Sequence, residues 1–202
     1  SRLPVATARR AEPAFTARGW SLTVIDLPSG GKLGALRAGE GQARGAALVY
    51  LDADVTCDPP LLAQLAPALD TPLPRYATGT LAVTRAATAT TRAYARIWTR
   101  LPFVQSGAVG AGLFALNRAG RARWGDWPAI ISDDTFVRLS FAPAERIEVP
   151  ARYHWPMVEG FGNLVRVRRR QDAGVDELRR LHPALFANEG KAPLTKGDLA
   201  RL

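Results

Sequence analysis

The chain has 202 residues and a hydrophobic fraction of 47%, which suffices for one domain with a sizeable core and argues against wholesale disorder. No apolar run approaches the roughly 18 residues that a membrane-spanning helix needs. The single cysteine, Cys57, excludes an intramolecular disulfide and a cysteine-cluster metal site, and we expect a reducing cytoplasm. The formal net charge of +9 comes mainly from arginine, which is typical of a high-GC bacterial genome and favours anionic partners such as nucleotide phosphates, acidic lipid or nucleic acid.

The first part of the chain alternates predicted helices with buried strands. Residues 4–18 predict a helix bent near Pro13, and 21–26 (SLTVID) predict a short strand after it. A helix over 32–45 then leads to 46–52 (AALVYLD), which has the strongest strand pattern in the chain.

The alternation continues to the end of the chain. The predicted elements are a helix over 59–69 with Asp58 as its N-cap, a strand over 76–84, a helix over 88–101, a Gly-rich strand over 108–117, a helix over 132–142, a strand over 145–150 and a basic helix over 161–181. From His182 the chain is polar and predicts a loosely packed tail over 182–202. The pattern predicts one α/β domain over 1–181 with a mostly parallel sheet.

Asp52 and Asp54 follow directly on the strongest predicted strand. Ligands of open α/β sheets gather at the carboxyl ends of the strands, and alternate residues of an extended chain point the same way. Two carboxylates in this position can converge on one hard cation, Mg²⁺ or Mn²⁺, with phosphate oxygens and water completing its shell. The alternative is turn chemistry, in which Asp54 and Asp58 shape a turn and cap the next helix.

The segment 30–62, GGKLGALRAGEGQARGAALVYLDADVTCDPPLL, closely resembles the central segment of family-2 glycosyltransferases of GT-A fold. That segment has a lysine-containing loop, an Ala-Leu-x-x-Gly helix, an apolar strand and a D-x-D motif followed by a helix that proline often introduces. The resemblance implies a Rossmann-like three-layer sandwich. It also implies that Asp52 and Asp54 hold a divalent cation and the diphosphate of a sugar nucleotide, with Lys32 near the nucleotide. On the residues alone, Lys32 is equally a solvated helix-start residue.

Residues 107–150 resemble the acceptor half of the same family, where a Gly-rich strand leads to an acidic pair at a helix start. The resemblance implies that Asp134 is the general base that takes the proton of an acceptor hydroxyl, and that Asp133 helps to bind donor sugar or acceptor. The alternative is capping, with Ser132 as N-cap and both acids stabilising the helix through its dipole.

Two further pairs of residues lie in this half of the chain. Trp124 and Trp127 are either aromatic residues that line a sugar site or core residues. Gly110 and Gly112 either let a substrate approach the backbone or permit tight packing.

The basic helix stands where the family often has a motif that contacts the diphosphate, although here no tryptophan follows the arginines. Arg169 or Arg170 is the candidate phosphate ligand, and a solvated or membrane-facing role is expected for most arginines over 166–170. Near His154, some GT-A enzymes have a histidine that completes the metal shell; a structural role is the alternative.

The leading hypothesis is an inverting, metal-dependent, hexosyltransferase-like enzyme that uses a UDP- or GDP-sugar and an unknown acceptor. We expect it in the cytoplasm, with peripheral membrane contact and no nucleic-acid partner. The family's first strands, which bind the nucleotide base, have no counterpart here, and we expect the chain to lack the start of the domain. The rivals are a nucleotidyltransferase of related fold and a non-catalytic basic protein that docks on anionic membrane or nucleic acid.

Overall fold

The computed structural model describes residues 5–105 and 107–190, which divide into two compact units. The first unit ends at Arg44 and the second begins at Gly45.

The first unit contains α1 (Val5–Arg9), α2 (Glu12–Thr16) and α3 (Gly31–Gln42). The single helix predicted over 4–18 is two short helices in its described part, and Pro13 lies in the first turn of α2, where its missing N–H costs no helical hydrogen bond. The strand predicted over 21–26 is wrong: these residues join no sheet, because β-branched composition favours a strand only where a neighbouring strand can pair with it.

The second unit mixes strands and helices. In chain order it contains β1 (Ala47–Leu51), β2 (Thr56–Cys57), α4 (Leu61–Leu69), β3 (Tyr76–Val83), α5 (Ala89–Trp98), α6 (Pro102–Gln105), β4 (Leu113–Asn117), α7 (Arg118–Arg121), α8 (Asp133–Leu139), a 3-10 helix (Pro143–Glu145), β5 (Arg146–Trp155), α9 (Phe161–Leu181) and a second 3-10 helix (Pro183–Asn188). The bounds predicted for α9 are confirmed. β5 extends well beyond its predicted end, because its second half pairs with β2.

The strands described here form one sheet of order β1-β4-β3-β5-β2. β3 and β5 run parallel, whereas β4 is antiparallel to both β1 and β3, and β2 is antiparallel to β5. The prediction of a mostly parallel sheet is therefore wrong, although the mixed α/β character agrees with a GT-A-like fold. Alternation of helices and strands cannot specify whether neighbouring strands run parallel or antiparallel. The connection from β3 returns to the sheet at the end where β3 leaves it, so β4 runs antiparallel to β3.

The two faces of the sheet have different cores. On one face, Leu61, Leu65 and Leu69 of α4 recur every fourth residue and are buried against the strands. Successive side chains of β4 point to opposite faces, so Leu113 and Ala115 join this core while Phe114 faces the other side. There Phe114 stacks on Tyr50 and Tyr76, with ring centroids 4.6 and 6.1 Å apart.

The residues after α9 pack against the domain as far as Gly190. The Asn188 side-chain amide donates to the Leu139 carbonyl at 2.9 Å, and Glu189 forms an ion pair with Arg138 at 2.7 Å. The loose packing predicted from His182 is therefore wrong for residues 182–190, because these contacts tie them to α8. The predicted tail beyond Gly190 lies outside the described residues. In the described part of the chain, no helix has the length and apolarity to cross a membrane.

Candidate functional site

The D-x-D segment forms a turn at the end of β1, and sheet hydrogen bonds hold it. The Asp52 N–H donates to the Gly112 carbonyl at 2.9 Å, continuing the pairing of Leu51 with Leu113. The Val55 N–H then donates to the Asp52 carbonyl at 3.1 Å, which closes the turn. The Asp52 side chain is half-buried and that of Asp54 is exposed. Turn chemistry and ligand binding therefore do not exclude each other here.

Asp58 does not cap α4 as predicted. Pro60 occupies the N-cap position, and the Asp58 carboxylate lies 2.9 Å from His154 Nε2. That hydrogen bond is the main reason why the pKa of Asp58 lies below its ordinary value. Since Thr56 pairs with His154 across the sheet, the sheet brings His154 close to the D-x-D turn, where its observed partner is Asp58.

The donor atoms of the turn suit a hard cation but do not form a complete protein site. Among residues 5–105 and 107–190, no group of three or more His, Cys, Asp or Glu side chains is placed to hold a metal ion. Asp52 and Asp54 supply two carboxylates, which is the chemistry that Mg²⁺ and Mn²⁺ prefer. The residues fit a cation only if other ligands, such as phosphate oxygens, complete its shell.

The segment 107–112 runs beside the turn with an unusual backbone. Gly110 and Gly112 have φ values of 68° and 76°, and Ala108 has a positive φ of 55°, which is strained for a residue with a side chain. The Glu148 carboxylate holds this backbone by accepting from the Ala108 N–H at 2.7 Å.

The space above the two glycines is filled by protein. A Cβ on Gly110 would overlap the Tyr76 hydroxyl, and a Cβ on Gly112 would lie 2.8 Å from Val55 Cγ2 and 3.0 Å from Trp155 Cδ1. The structure therefore favours tight packing over substrate approach as the role of Gly110 and Gly112.

The second acidic pair begins α8. Asp133 is 5% exposed and Asp134 is half-buried. Ser132 occupies the N-cap position, but its side chain makes no capping hydrogen bond. The buried phenols of Tyr76 and Tyr153 have pKa values above the ordinary range, chiefly through desolvation, and the charge of Asp134 adds to both increases.

The segment 107–112 and Tyr76 link the surroundings of the two acidic pairs. The Asp52 N–H donates to the Gly112 carbonyl, and a Cβ on Gly110 would overlap the hydroxyl of Tyr76. The charge of Asp134 contributes to the raised pKa of Tyr76, after the larger effect of desolvation. The first acidic pair therefore borders the segment 107–112, and Asp134 acts electrostatically on a tyrosine that packs against this segment.

Comparison with known proteins assigns a family. The sequence pattern of glycosyl transferase family 2 matches residues 6–137, more than half of the chain. The chain belongs to glycosyl transferase family 2. No curated protein and no solved structure matches it.

The family assignment supports a glycosyltransferase that takes a nucleotide-sugar donor and an acceptor. The matched range contains Lys32 and both acidic pairs, and it ends before His154 and before the basic helix. Lys32 lies in the first turn of α3, in the unit that ends at Arg44, and its side chain is exposed.

The two tryptophans differ in burial. Trp127 is 2% exposed and makes edge contacts with Tyr50 at 5.8 Å and with Trp124 at 5.6 Å. Trp124 is half-buried, and the Arg121 guanidinium lies over its ring at 5.0 Å. Packing is therefore the role that the structure supports for Trp127.

The arginines of α9 have different surroundings. Arg168 forms an ion pair with Asp172, and Arg166 donates to the Asn163 side chain at 2.9 Å. Arg169 and Arg170 are exposed. Arg170 lies one helical turn before Gly174, which packs against Ser132 at the start of α8.

Sequence reasoning missed four residues around the acidic pairs: Tyr76, Tyr153, Gly174 and Glu177. Tyr76 begins a predicted strand, Tyr153 follows the last predicted strand, and Gly174 and Glu177 read as ordinary helix residues. Only their contacts distinguish them, so no local pattern in the sequence would have identified them.

Proposed function

We propose that this family-2 protein is an inverting glycosyltransferase that moves a sugar from a nucleoside-diphosphate sugar to an acceptor hydroxyl. The observation that carries the proposal is that Asp52 bonds to the segment 107–112, and that this segment packs against Tyr76, the tyrosine on which the charge of Asp134 acts. A donor diphosphate beside the first acidic pair would have its sugar near the second. Transfer with inversion needs a base on the side of the acceptor.

In this proposal Asp52 and Asp54 bind the donor diphosphate together with a divalent cation. The cation would neutralise the charge that develops on the departing nucleoside diphosphate. The support is the placement of two carboxylates on one turn at the end of β1; phosphate oxygens of the donor would complete the shell of the cation. His154 is a candidate ligand only if it leaves Asp58, and Lys32 is proposed to lie near the nucleotide.

Asp134 is the proposed base and Asp133 the residue that binds donor sugar or acceptor. Asp134 is half-buried whereas Asp133 is 5% exposed, so Asp134 is the more accessible of the two to an acceptor hydroxyl. Ser132 makes no capping bond through its side chain, whereas Asp134 Oδ1 accepts from the Thr135 N–H at 2.7 Å, so in this proposal Asp134 both satisfies an N–H at the start of α8 and serves as the base.

Arg170 is the proposed diphosphate ligand of the basic helix, in preference to Arg169. Residues four apart share a helix face, so Arg170 is on the same side of α9 as Gly174, which contacts Ser132 at the start of α8. Arg169 is displaced by about 100° around the helix. Substituting each arginine by alanine should therefore weaken donor binding more at Arg170 than at Arg169.

The test is release of nucleoside diphosphate by the intact protein from UDP- and GDP-sugars, with and without Mn²⁺. We expect metal-dependent release that falls about 1,000-fold in Asp134→Asn, since general base catalysis contributes about 10²–10⁴-fold. Asp54→Asn should lose donor binding in Mn²⁺. Asp126→Asn and Asp70→Asn are matched controls, because both aspartates are exposed and lie outside the proposed site.

Two outcomes would contradict the proposal. Unchanged turnover in Asp134→Asn would contradict the role of Asp134 as the base. A lack of metal-dependent donor binding would contradict the role of the cation. Formation of nucleoside triphosphate and sugar 1-phosphate from the nucleoside-diphosphate sugar and added pyrophosphate, without release of nucleoside diphosphate, would indicate a nucleotidyltransferase.

We also propose that the protein touches an anionic membrane through the first half of α9. Phe161 is 71% exposed at the start of the helix, and the arginines over 166–170 follow it without an acidic residue between them. An exposed aromatic residue beside several cations suits the interface of an anionic bilayer.

Sedimentation with phosphatidylcholine vesicles, with and without phosphatidylglycerol, tests this contact. We expect binding only to the vesicles with phosphatidylglycerol, less binding in Phe161→Ser, and no change in Leu73→Ser, a control whose leucine is 64% exposed on another segment. Equal binding by Phe161→Ser and the unmodified protein would contradict the proposal.

A further inference from the structure

The start of α8 is not fixed by the helix itself. α8 has seven residues, and helices this short are not stable without packing. Ser132 makes no capping bond through its side chain. Asp134 Oδ1 accepts from the Thr135 N–H at 2.7 Å, which orients the carboxylate within the helix, but the position of so short a helix in the domain depends on contacts from other elements.

Two residues of α9 supply such contacts to Ile131 and Ser132, just before the acidic pair. The Glu177 carboxylate accepts a hydrogen bond from the Ile131 N–H at 2.8 Å. Gly174 lies so close that a Cβ there would overlap Ser132 Oγ and approach Ile131 Cγ2 to 3.0 Å. Because residues three apart share a helix face, Gly174 and Glu177 form one contact surface.

α9 is itself fixed at both ends. Before its first turn, the Glu159 carboxylate accepts from the N–H groups of Ala87 and Thr88 at 2.7 and 3.0 Å. Near its other end, Leu178 is fully buried, and the ring of His182 lies 5.4 Å from that of Phe136 in α8. A helix fixed in this way can hold the start of α8 at a defined position relative to the domain core.

We infer that Glu177 is a positioning residue for Asp134, and that Gly174 is the close-approach site that lets Glu177 reach the backbone. The inference rests on the proposed role of Asp134 as base. A displacement of the base by about 1 Å can cost about 100-fold in rate, so loss of one anchoring bond is expected to affect turnover more than donor binding. The D-x-D turn, which sheet hydrogen bonds hold, is not expected to move.

Two substitutions of Glu177 separate hydrogen bonding from charge. Glu177→Ala removes the acceptor, and we expect kcat to fall about 10- to 100-fold with the donor KM unchanged. Glu177→Gln retains an oxygen that can accept from Ile131, and we expect it to keep most of the activity. Asp176→Ala is the matched control: its carboxylate is exposed and contacts only Arg179 in the same helix.

A second pair of variants tests the close approach. Gly174→Ala should lower kcat although alanine favours the helix by about 1 kcal/mol. Ser132→Ala removes the overlapping hydroxyl, so the double variant should recover much of the lost kcat. Hydrogen exchange at the Ile131 amide should accelerate in Glu177→Ala and stay slow in Glu177→Gln.

The results distinguish the two proposals. An unmodified protein without transfer would contradict the proposed function. An active protein in which Glu177→Ala keeps its kcat, or in which Glu177→Gln loses as much as Glu177→Ala, would contradict only the positioning role.

Discussion

The two acidic pairs of the molecule are held by different kinds of contact. Asp52 is fixed by backbone hydrogen bonds of the sheet, through Gly112 and Val55. The start of α8, with Asp134, is approached by the side chain of Glu177 and the bare backbone of Gly174. Backbone bonds form with almost any side chain, so the first pair should tolerate substitution around it except at Gly110 and Gly112, where a Cβ would clash. The second pair should depend on a few distant residues.

The largest effect should come from removing the buried side chain that packs α9 against the domain. Leu178→Ala deletes a fully buried side chain and should cost about 4 kcal/mol of unfolding free energy. In the protein that remains folded, turnover should fall while donor binding is kept. Urea unfolding and steady-state kinetics measure both.

Leu65→Ala is the matched control for Leu178→Ala. Leu65 is equally buried, but it belongs to α4 on the core of the sheet. It should lose similar stability without a selective fall in turnover. If the two variants lose turnover equally, the special dependence of Asp134 on α9 is contradicted.

The sheet side should be vulnerable where it requires glycine. Gly110→Ala meets the Tyr76 hydroxyl and a φ of 68°, and should cost about 3 kcal/mol from overpacking and backbone strain. Adding Tyr76→Phe removes the hydroxyl and should recover part of the loss, as measured by a double-mutant cycle in urea. Gly125→Ala, which has open space around it, should be neutral; a cycle without coupling would show that the hydroxyl is not the obstacle.

The hydrogen bonds of Glu159, which anchor the start of α9, should affect the pH dependence of stability. Hydrogen bonds from Thr88 and Ala87 lower the pKa of Glu159 to about 2 from its ordinary value of 4.5. Because the folded-state pKa is the lower one, this stabilisation is complete above about pH 4.5 and is lost as the pH falls to about 2. Glu159→Gln should therefore be less stable than the unmodified protein at neutral pH, and the two urea midpoints should converge in acid. Parallel curves would contradict the anchor.

The smallest effect should come from the Asp58–His154 pair beside the D-x-D turn. The hydrogen bond from His154 lowers the pKa of Asp58 below 3.8, so its contribution is present above that pH and is lost in more acidic solution. Both side chains are more than one-third exposed, which limits the effect. In His154→Gln, the urea midpoint should fall less on acidification than in the unmodified protein, and donor binding should stay almost unchanged. A large loss of Mn²⁺ binding would instead favour His154 as a metal ligand.

Part of the fold and of the candidate site followed from local patterns. The apolar run before Asp52 predicts β1 because β-branched and aromatic residues favour strands, and the spacing over 161–181 predicts α9. The family resemblance over residues 30–62 and 107–150 agrees with the family match over 6–137. The ion pair of Arg168 with Asp172 was also predictable, since residues four apart meet on a helix.

The incorrect predictions share a physical cause. Each of them concerns a feature that depends on elements distant in the chain. These features are the direction of the strands, the pairing that residues 21–26 lack, the partner of Asp58 and the packing of residues 182–190. Asp58 is a good N-cap by its local sequence, but β5 brings His154 to it. Local propensity is weak compared with such tertiary contacts.

The family, the two acidic pairs and the elements that contain them can be recognised from residue type and short spacing alone. The folded chain was needed to show that Trp127 and the two glycines are packed, that the sheet is mixed, and that Glu177 and Gly174 contact the residues before Asp133. Those features require residues distant in the chain to meet, as Ile131 and Glu177 do at a separation of 46. No local pattern encodes a contact of that kind, since it exists only when the strands and helices have assembled.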